Sequence, residues 1–303
     1  MYYYSGKWFV FTGNHLGVLL ASYLFDSKAI QSQGPSNAVL NSTVSTGMLE
    51  KIATAKGIHF EESLTGFKWM GNIARDLETS GYNVPFAFEE ALGYMFPNVC
   101  YDKDGITAAI VFLAAETQWR DQGLTPYMKL QQLSQEFGYH ETLNNYFRSP
   151  NPDVTTSLFR AIRNGSFLTE GSLGSFKILR WRDMTEGYDS KTHDKKPTLP
   201  VDKGSQMLTL WLDRGVRFTL RGSGTEPKVK CKLLREPSAD RLRTNTTSII
   251  DYIEGCGSSR EKTLDAICDA FLAILKEWVE PFAPDMSYSK QLSTSSGHVF
   301  NVQ

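Results

Sequence analysis

Val216-Arg217-Phe218-Thr219-Leu220, Arg221-Gly222-Ser223-Gly224-Thr225-Glu226-Pro227-Lys228 and Val229-Lys230-Cys231-Lys232-Leu233-Leu234 follow one another without a break. The outer stretches alternate apolar and polar residues, which predicts two strands. The eight residues between them then form a strand-to-strand loop. Its glycines permit positive φ and turn backbone N–H groups inward, as in an anion-binding nest. Ser223 and Thr225 add hydroxyl donors. Arg221 offers a planar fork suited to phosphate oxygens, Lys228 adds a point charge, and Pro227 stiffens the exit. The run is not a Walker loop, because the G-x-x-x-x-G-K-[ST] spacing is absent and a strand follows. On the residues alone, a glycine-rich hairpin with surface charges remains the competing reading.

The chain has 303 residues, room for two domains of ordinary size. Its net charge of −1 gives no support for a nucleic-acid partner across the surface. Cys100, Cys231, Cys256 and Cys268 include no C-x-x-C pair and no zinc-like spacing, so free thiols in a reducing compartment are expected. No charged segment followed by an apolar one opens the chain. The longest apolar runs, near residues 18–25 and 108–115, are too short to span a bilayer. These features predict a cytoplasmic protein with no membrane partner, in which the Asn-x-Ser/Thr triplets at Asn41, Asn164 and Asn245 carry no glycan.

Strand and helix signals alternate up to about residue 150. Strands are predicted at 7–11, 38–44, 59–64 and 85–88. Helices are predicted at 15–25 and 48–56, after Thr65 as a cap, and from Asp104 through Trp119. That order argues for an α/β domain with a mixed sheet. Ser149-Pro150-Asn151-Pro152 is a cluster of breakers and marks a boundary. Beyond it come a helix over 154–163 capped by Asp153, a strand at 176–181 and a polar loop at 188–202 with partial disorder. A hairpin of 207–212 with 216–220 follows, then the loop and strand quoted above, a short helix at 249–253 and a long helix at 261–279. Residues 285–303 read as a loose tail. This half predicts an α+β domain with an antiparallel sheet.

Three polar groups lie near predicted element ends. Glu89 and Glu90 follow an apolar strand, where ligand loops gather in α/β sheets. Neighbours on an extended chain point to opposite sides, so the pair does not suit the facing acid and base of a glycosidase. Lys103 stands between Asp102 and Asp104 at a helix start, with an exposed charge run as the plain alternative. His15, also at a helix start, reads as a hydrogen-bonded structural residue.

Five motifs in order resemble the α-D-phosphohexomutases, the phosphoglucomutase and phosphomannomutase family. They are Thr12-Gly13-Asn14-His15-Leu16-Gly17, Leu64-Thr65-Gly66-Phe67-Lys68, Phe88-Glu89-Glu90-Ala91-Leu92-Gly93, Lys103-Asp104-Gly105 and Arg221 to Lys228. The match resembles the C-terminal half of that family, nearest the eukaryotic phosphopentomutase and glucose-1,6-bisphosphate synthase branch. The resemblance implies that residues 1–29 belong to the family's second domain, 30–150 to its sugar-binding third and 151–284 to its phosphate-binding fourth. It implies that Arg221, Gly222, Ser223, Gly224, Thr225 and Lys228 grip a substrate phosphate. Glu89, Glu90, Thr65, Gly66 and Lys68 would line the sugar, and Lys103 would lie near the reacting phosphate. Ala91 replaces a common family serine, as suits the phosphopentomutase branch. The implied ligand is a phosphosugar, either ribose- or deoxyribose-1-phosphate or a glucose phosphate.

The resemblance also implies magnesium in the intact family, held by a D-x-D-x-D loop, and a phosphorylated serine in a Ser-His-Asn/Asp-type motif. Neither motif occurs in this sequence. The expectations are therefore no metal or other cofactor in this chain and no mutase turnover by it alone. The sequence is then either a truncated mutase or a non-catalytic phosphosugar- or partner-binding paralogue. Trp8, Phe9 and Phe11 are expected to lack cover, which predicts association or local disorder there.

Overall fold

The computed structural model describes residues 2–4, 6–27, 36–222 and 247–302. It divides into two compact units, Met1–His140 and Glu141–Gln303.

The first unit opens with an antiparallel hairpin of β1 (Tyr2–Tyr4) and β2 (Lys7–Phe9), followed by α1 (Gly13–Asp26). Its five-stranded sheet contains β3 (Asn37–Ser42), β4 (His59–Ser63), β5 (Asn83–Glu89), β6 (Gly93–Phe96) and β7 (Cys100–Lys103). The spatial order is β4-β3-β5-β6-β7. β3 runs parallel to both β4 and β5, while β5, β6 and β7 are successively antiparallel, so the sheet is mixed. The helices are α2 (Met48–Ala55), α3 (Phe67–Thr79), α4 (Gly105–Asp121) and α5 (Pro126–Phe137). Side chains of a strand alternate between faces. Phe86 and Phe88 therefore join a core with Leu19, Phe25 and Trp119, whereas Ala87 joins Phe67, Met70 and Ala74. Each large apolar side chain so buried contributes about 1.5–3 kcal/mol.

The second unit is built on β8 (Tyr139–Ser149), α6 (Pro152–Asn164), β9 (Ser172–Leu173), β10 (Phe176–Asp183), β11 (Tyr188–Asp189), β12 (Met207–Leu212), β13 (Val216–Gly222), β14 (Thr247–Gly257) and α7 (Arg260–Ile274). The sheet order is β11-β10-β12-β13-β14-β8, with β9 on β10. The pairs from β9 through β14 are antiparallel. Phe147, Phe159, Phe218, Phe271 and Trp278 fill its core.

Several expectations change. The unit boundary precedes the proline cluster, because β8 continues through Ser149 within the second unit's sheet. Residues 285–303 are not a loose tail: β15 (Gln291–Ser293) pairs with β16 (Val299–Asn301), and Leu292 and Val302 enter the core. The short helix expected at 249–253 is strand, drawn into register with β13 by pairs such as Phe218↔Ile253. Residues 93–103 carry β6 and β7, for which the pattern reading had no element. Gly66, not Thr65, occupies the cap position of α3 at φ 109°, where a side chain is disfavoured. Asn151, not Asp153, caps α6 by accepting from Val154 N at 3.1 Å. The loop after β11 is pinned rather than disordered: Asp189 N donates to Lys195 O at 2.9 Å and Ser190 N to Trp181 O at 3.0 Å. Phe9 packs on Tyr127 and Phe11 on Phe112, with ring centroids 4.9 Å and 6.4 Å apart, so both find cover within the unit. Trp8 stays exposed. The strand expected at 229–234 lies outside the described residues.

Candidate functional site

The first unit brings four of the five motifs together around the turn after β5. Thr12 opens α1 as a capping box: its hydroxyl accepts from His15 N, and its own N–H donates to His15 Nδ1, both at 3.3 Å. His15 is thus the structural residue expected, stacked on Phe9. The start of α1 lies directly on the glutamate turn. A Cβ on Gly13 would stand 1.9 Å from the carbonyl oxygen of Glu90, and one on Gly17 would meet the Phe88 ring at 2.5 Å. Tyr94 closes the contact by donating to Gly13 O at 3.1 Å. Burial pushes the Tyr94 phenol well above its usual range, which keeps it a donor.

Glu89 and Glu90 diverge as alternation requires. Glu89 Oε1 accepts from Gly66 N at 2.5 Å, tying the turn to the mouth of α3. Glu90 is bracketed on the other side. Its Oε2 accepts from the hydroxyls of Ser42 and Ser45, each at 3.3 Å, and its N–H donates to Ser45 Oγ at 3.0 Å. Sequence reasoning missed both serines. Their signal was position, since they sit at and just beyond the end of β3, the parallel neighbour of β5.

Phe67, the first residue of α3, links the remaining pieces. A Cβ on Gly93 would meet its ring at 2.5 Å, and Lys103 Nζ lies over the same ring, 5.5 Å from the centroid. Lys103 also pairs with Asp102 at 3.2 Å, and both side chains are exposed. Asp104 caps α4, accepting from Ile106 N at 2.9 Å. The Thr107 hydroxyl and then the Ile106 N–H hold its carboxyl below the usual range. Thr65 is half-buried, and Lys68 is exposed beside Trp69.

In the second unit, Arg221 and Gly222 end β13. Arg221 is half-buried opposite Met207 and Ile250, and Gly222 N donates to Gln206 O at 2.8 Å. Ser223, Gly224, Thr225 and Lys228 lie outside the described residues. Among the described residues, no group of three or more His, Cys, Asp or Glu is placed to hold a metal ion. Asp102 and Asp104, the nearest sequence approach to an aspartate cluster, are engaged by Lys103 and by the α4 cap. No helix among the described residues is long and apolar enough to cross a membrane.

The geometry defines an α/β unit with a mixed sheet, in which a glutamate turn at a strand end is gripped by three other segments. Residues 12–135 match the family phosphoglucomutase/phosphomannomutase, alpha/beta/alpha domain III. A phosphoribomutase from Saccharomyces cerevisiae is 41% identical over 91% of this chain and 44% of its own. A phosphopentomutase from Homo sapiens is 40% identical over 82% of this chain and 43% of its own. The crystal structure of parafusin, a phosphoglucomutase from Paramecium in an open form, superposes with a TM-score of 0.60. It covers 92% of this chain and 44% of parafusin, and at 18% identity it speaks to the fold alone. The chain belongs to the phosphoglucomutase/phosphomannomutase family. It spans under half the length of the curated relatives it matches.

Proposed function

We propose that this chain supplies the sugar-binding and phosphate-gripping parts of a phosphopentomutase-type phosphosugar mutase. The observation that carries the reading is the glutamate turn, clamped by Gly66 N and by the start of α1 so that Glu89 is held at a strand end. An ionised carboxylate has about four lone-pair sites, so one aimed by a backbone N–H can also accept from sugar hydroxyls. Glu89 is the sugar contact, with Thr65, Gly66 and Lys68 beside it, and Glu90 braces the turn through Ser42 and Ser45. Lys103 supplies a mobile cation for the phosphate. Arg221 and Gly222 begin the segment that grips it, continued by Ser223, Gly224, Thr225 and Lys228. The names of the relatives, phosphoribomutase and phosphopentomutase, support a pentose phosphate as ligand.

Phosphoryl transfer needs an in-line donor or acceptor and a counter-charge for the moving group. Within this sequence neither the phosphoserine motif nor the D-x-D-x-D loop occurs. The purified chain is therefore expected to bind ribose-1-phosphate without turning it over. The test assays ribose-1-phosphate and glucose-1-phosphate with bisphosphate activator and magnesium, beside calorimetry on wild type and Arg221→Ala. Turnover by the purified chain would overturn the inactive reading. Binding that Arg221→Ala leaves unchanged would overturn the phosphate grip. An in-frame D-x-D-x-D segment upstream in the genome would favour a mutase over the alternative, a non-catalytic phosphosugar- or partner-binding paralogue.

A further inference from the structure

We propose that Asp183 is a positioning residue for the segment that starts at Arg221–Gly222, acting through Thr185. The inference rests on the reading of that segment as the phosphate grip. Asp183 is the last residue of β10, and its side chain is 1% exposed. Oδ2 accepts from Arg163 Nε at 2.6 Å. Oδ1 accepts from Arg163 Nη2 at 3.3 Å, Thr185 N at 2.9 Å and Glu186 N at 3.0 Å. One carboxylate thus ties the last turn of α6 to the turn that leaves β10. A buried charge with this many donors is strongly held, and removing a partner leaves the other uncompensated.

The turn passes this order on. Thr185 Oγ1 donates to Ser205 O at 2.8 Å and accepts from Met207 N at 3.1 Å. Met184 N donates to Met207 O at 2.9 Å, and Asp202 N to Met184 O at 3.1 Å. Gln206 and Met207 are therefore fixed from the β10 side. On their other side, Met207 faces Arg221 in the ladder, and Gln206 O accepts from Gly222 N. A continuous chain of bonds runs Arg163–Asp183–Thr185–Met207 and ends on the root of the phosphate segment. The ladder alone would leave this corner weak, because the residues just before Met207 depart from β12. A loop that binds an anion through aimed N–H groups needs its root held to within about 0.5 Å.

The test is amide exchange with calorimetry on the full chain. Thr185→Val keeps the shape and deletes the hydroxyl, Thr185→Ser restores it, and Asp183→Asn weakens the upstream link. Loss of one buried hydrogen bond predicts that Gly222 N–H exchange rises roughly tenfold in Thr185→Val. Mid-sheet amides at Leu210 and Phe218 should hold their wild-type rates, and Thr185→Ser should bring Gly222 back. Asp183→Asn should raise Gly222 exchange in the same selective way. Ribose-1-phosphate affinity should fall with Gly222 protection across the variants. Unchanged Gly222 exchange, equal acceleration at Gly222 and Phe218, or failure of serine to rescue would each overturn the inference. If the wild type binds no ribose-1-phosphate, the ligand reading falls, while Gly222 exchange still decides whether Asp183 sets that root.

Discussion

In the first unit the turn after β5 is held by backbone approaches that leave no room for a side chain, at Gly13 against Glu90 and at Gly93 against Phe67. In the second unit strand ends are held by arginines on buried carboxylates: Arg163 on Asp183, Arg180 on Asp189, Arg217 on Glu254 and Arg260 on Glu141. Those carboxylates are at most 5% exposed. Asp26 and Asp102, which pair with lysines in the first unit, are 33% and 66% exposed. The sheets explain the contrast. The first unit's sheet has side chains from both faces buried against helices, so helix starts press on strand ends and small residues set the distance. The antiparallel sheet carries long polar side chains near its core, and each arginine needs an anion when water is withdrawn.

Breaking a charge lock should have the largest effect. Asp189 receives Arg180 through Nε at 3.0 Å and Nη2 at 2.5 Å, and Lys191 N at 3.0 Å. Asp189→Ala strands the guanidinium and should cost about 3–5 kcal/mol in urea unfolding. Gly13→Ala comes next at about 3 kcal/mol, because the obstacle at 1.9 Å is a backbone carbonyl that cannot rotate aside. Gly93→Ala should cost less, about 1–2 kcal/mol, since the Phe67 ring it meets can shift. If Gly13→Ala proves neutral, the glycine half of the contrast is wrong.

The same contrast decided what was legible from sequence. Period-2 and helical patterns placed β3, β5, α3 and α7, because burial imposes them. The Glu89–Glu90 divergence followed from strand alternation alone. Ser42, Ser45 and Asp183 were not legible, because their partners are 45 to 48 residues away for the serines and 20 for Asp183. Nothing in local spacing encodes such pairs. The 249–253 segment misled because a short apolar run suits either element, and only its partner β13 chose strand. Residues 285–303 look polar and loose, yet Leu292 and Val302 enter the core, and strands of three residues are too short to register as a pattern.

Acid separates the two designs further. Burial raises the Asp189 carboxyl, but the Arg180 bonds and the Lys191 N–H outweigh it, so its folded value lies below the usual carboxylate range. A depressed carboxylate contributes stability that is complete above the unfolded value and is lost as pH falls through the folded one. Asp189→Asn should therefore flatten the acid limb of the second unit's unfolding curve. Glycine contacts carry no charge, so Gly13→Ala should shift the first unit's unfolding curve without changing its pH dependence. Equal acid slopes in wild type and Asp189→Asn would remove the charge lock from the comparison.

The smallest expected effect on stability is also the one that bears most on function. Lys103 is 64% exposed, and its pair with Asp102 lies in water, where such pairs contribute little. Lys103→Ala should change unfolding free energy by no more than about 0.5 kcal/mol. If Lys103 reaches the phosphate of a bound sugar, the same variant should weaken ribose-1-phosphate binding roughly tenfold, as expected for loss of one charge-assisted hydrogen bond. A glycine variant should do the reverse, losing stability and affinity together because it displaces the turn that carries Glu89. Calorimetry on Lys103→Ala and Gly93→Ala side by side reads the difference. If Lys103→Ala binds like wild type, the exposed lysine is a solvated charge, and the first unit contributes to phosphosugar binding only through its clamped turn.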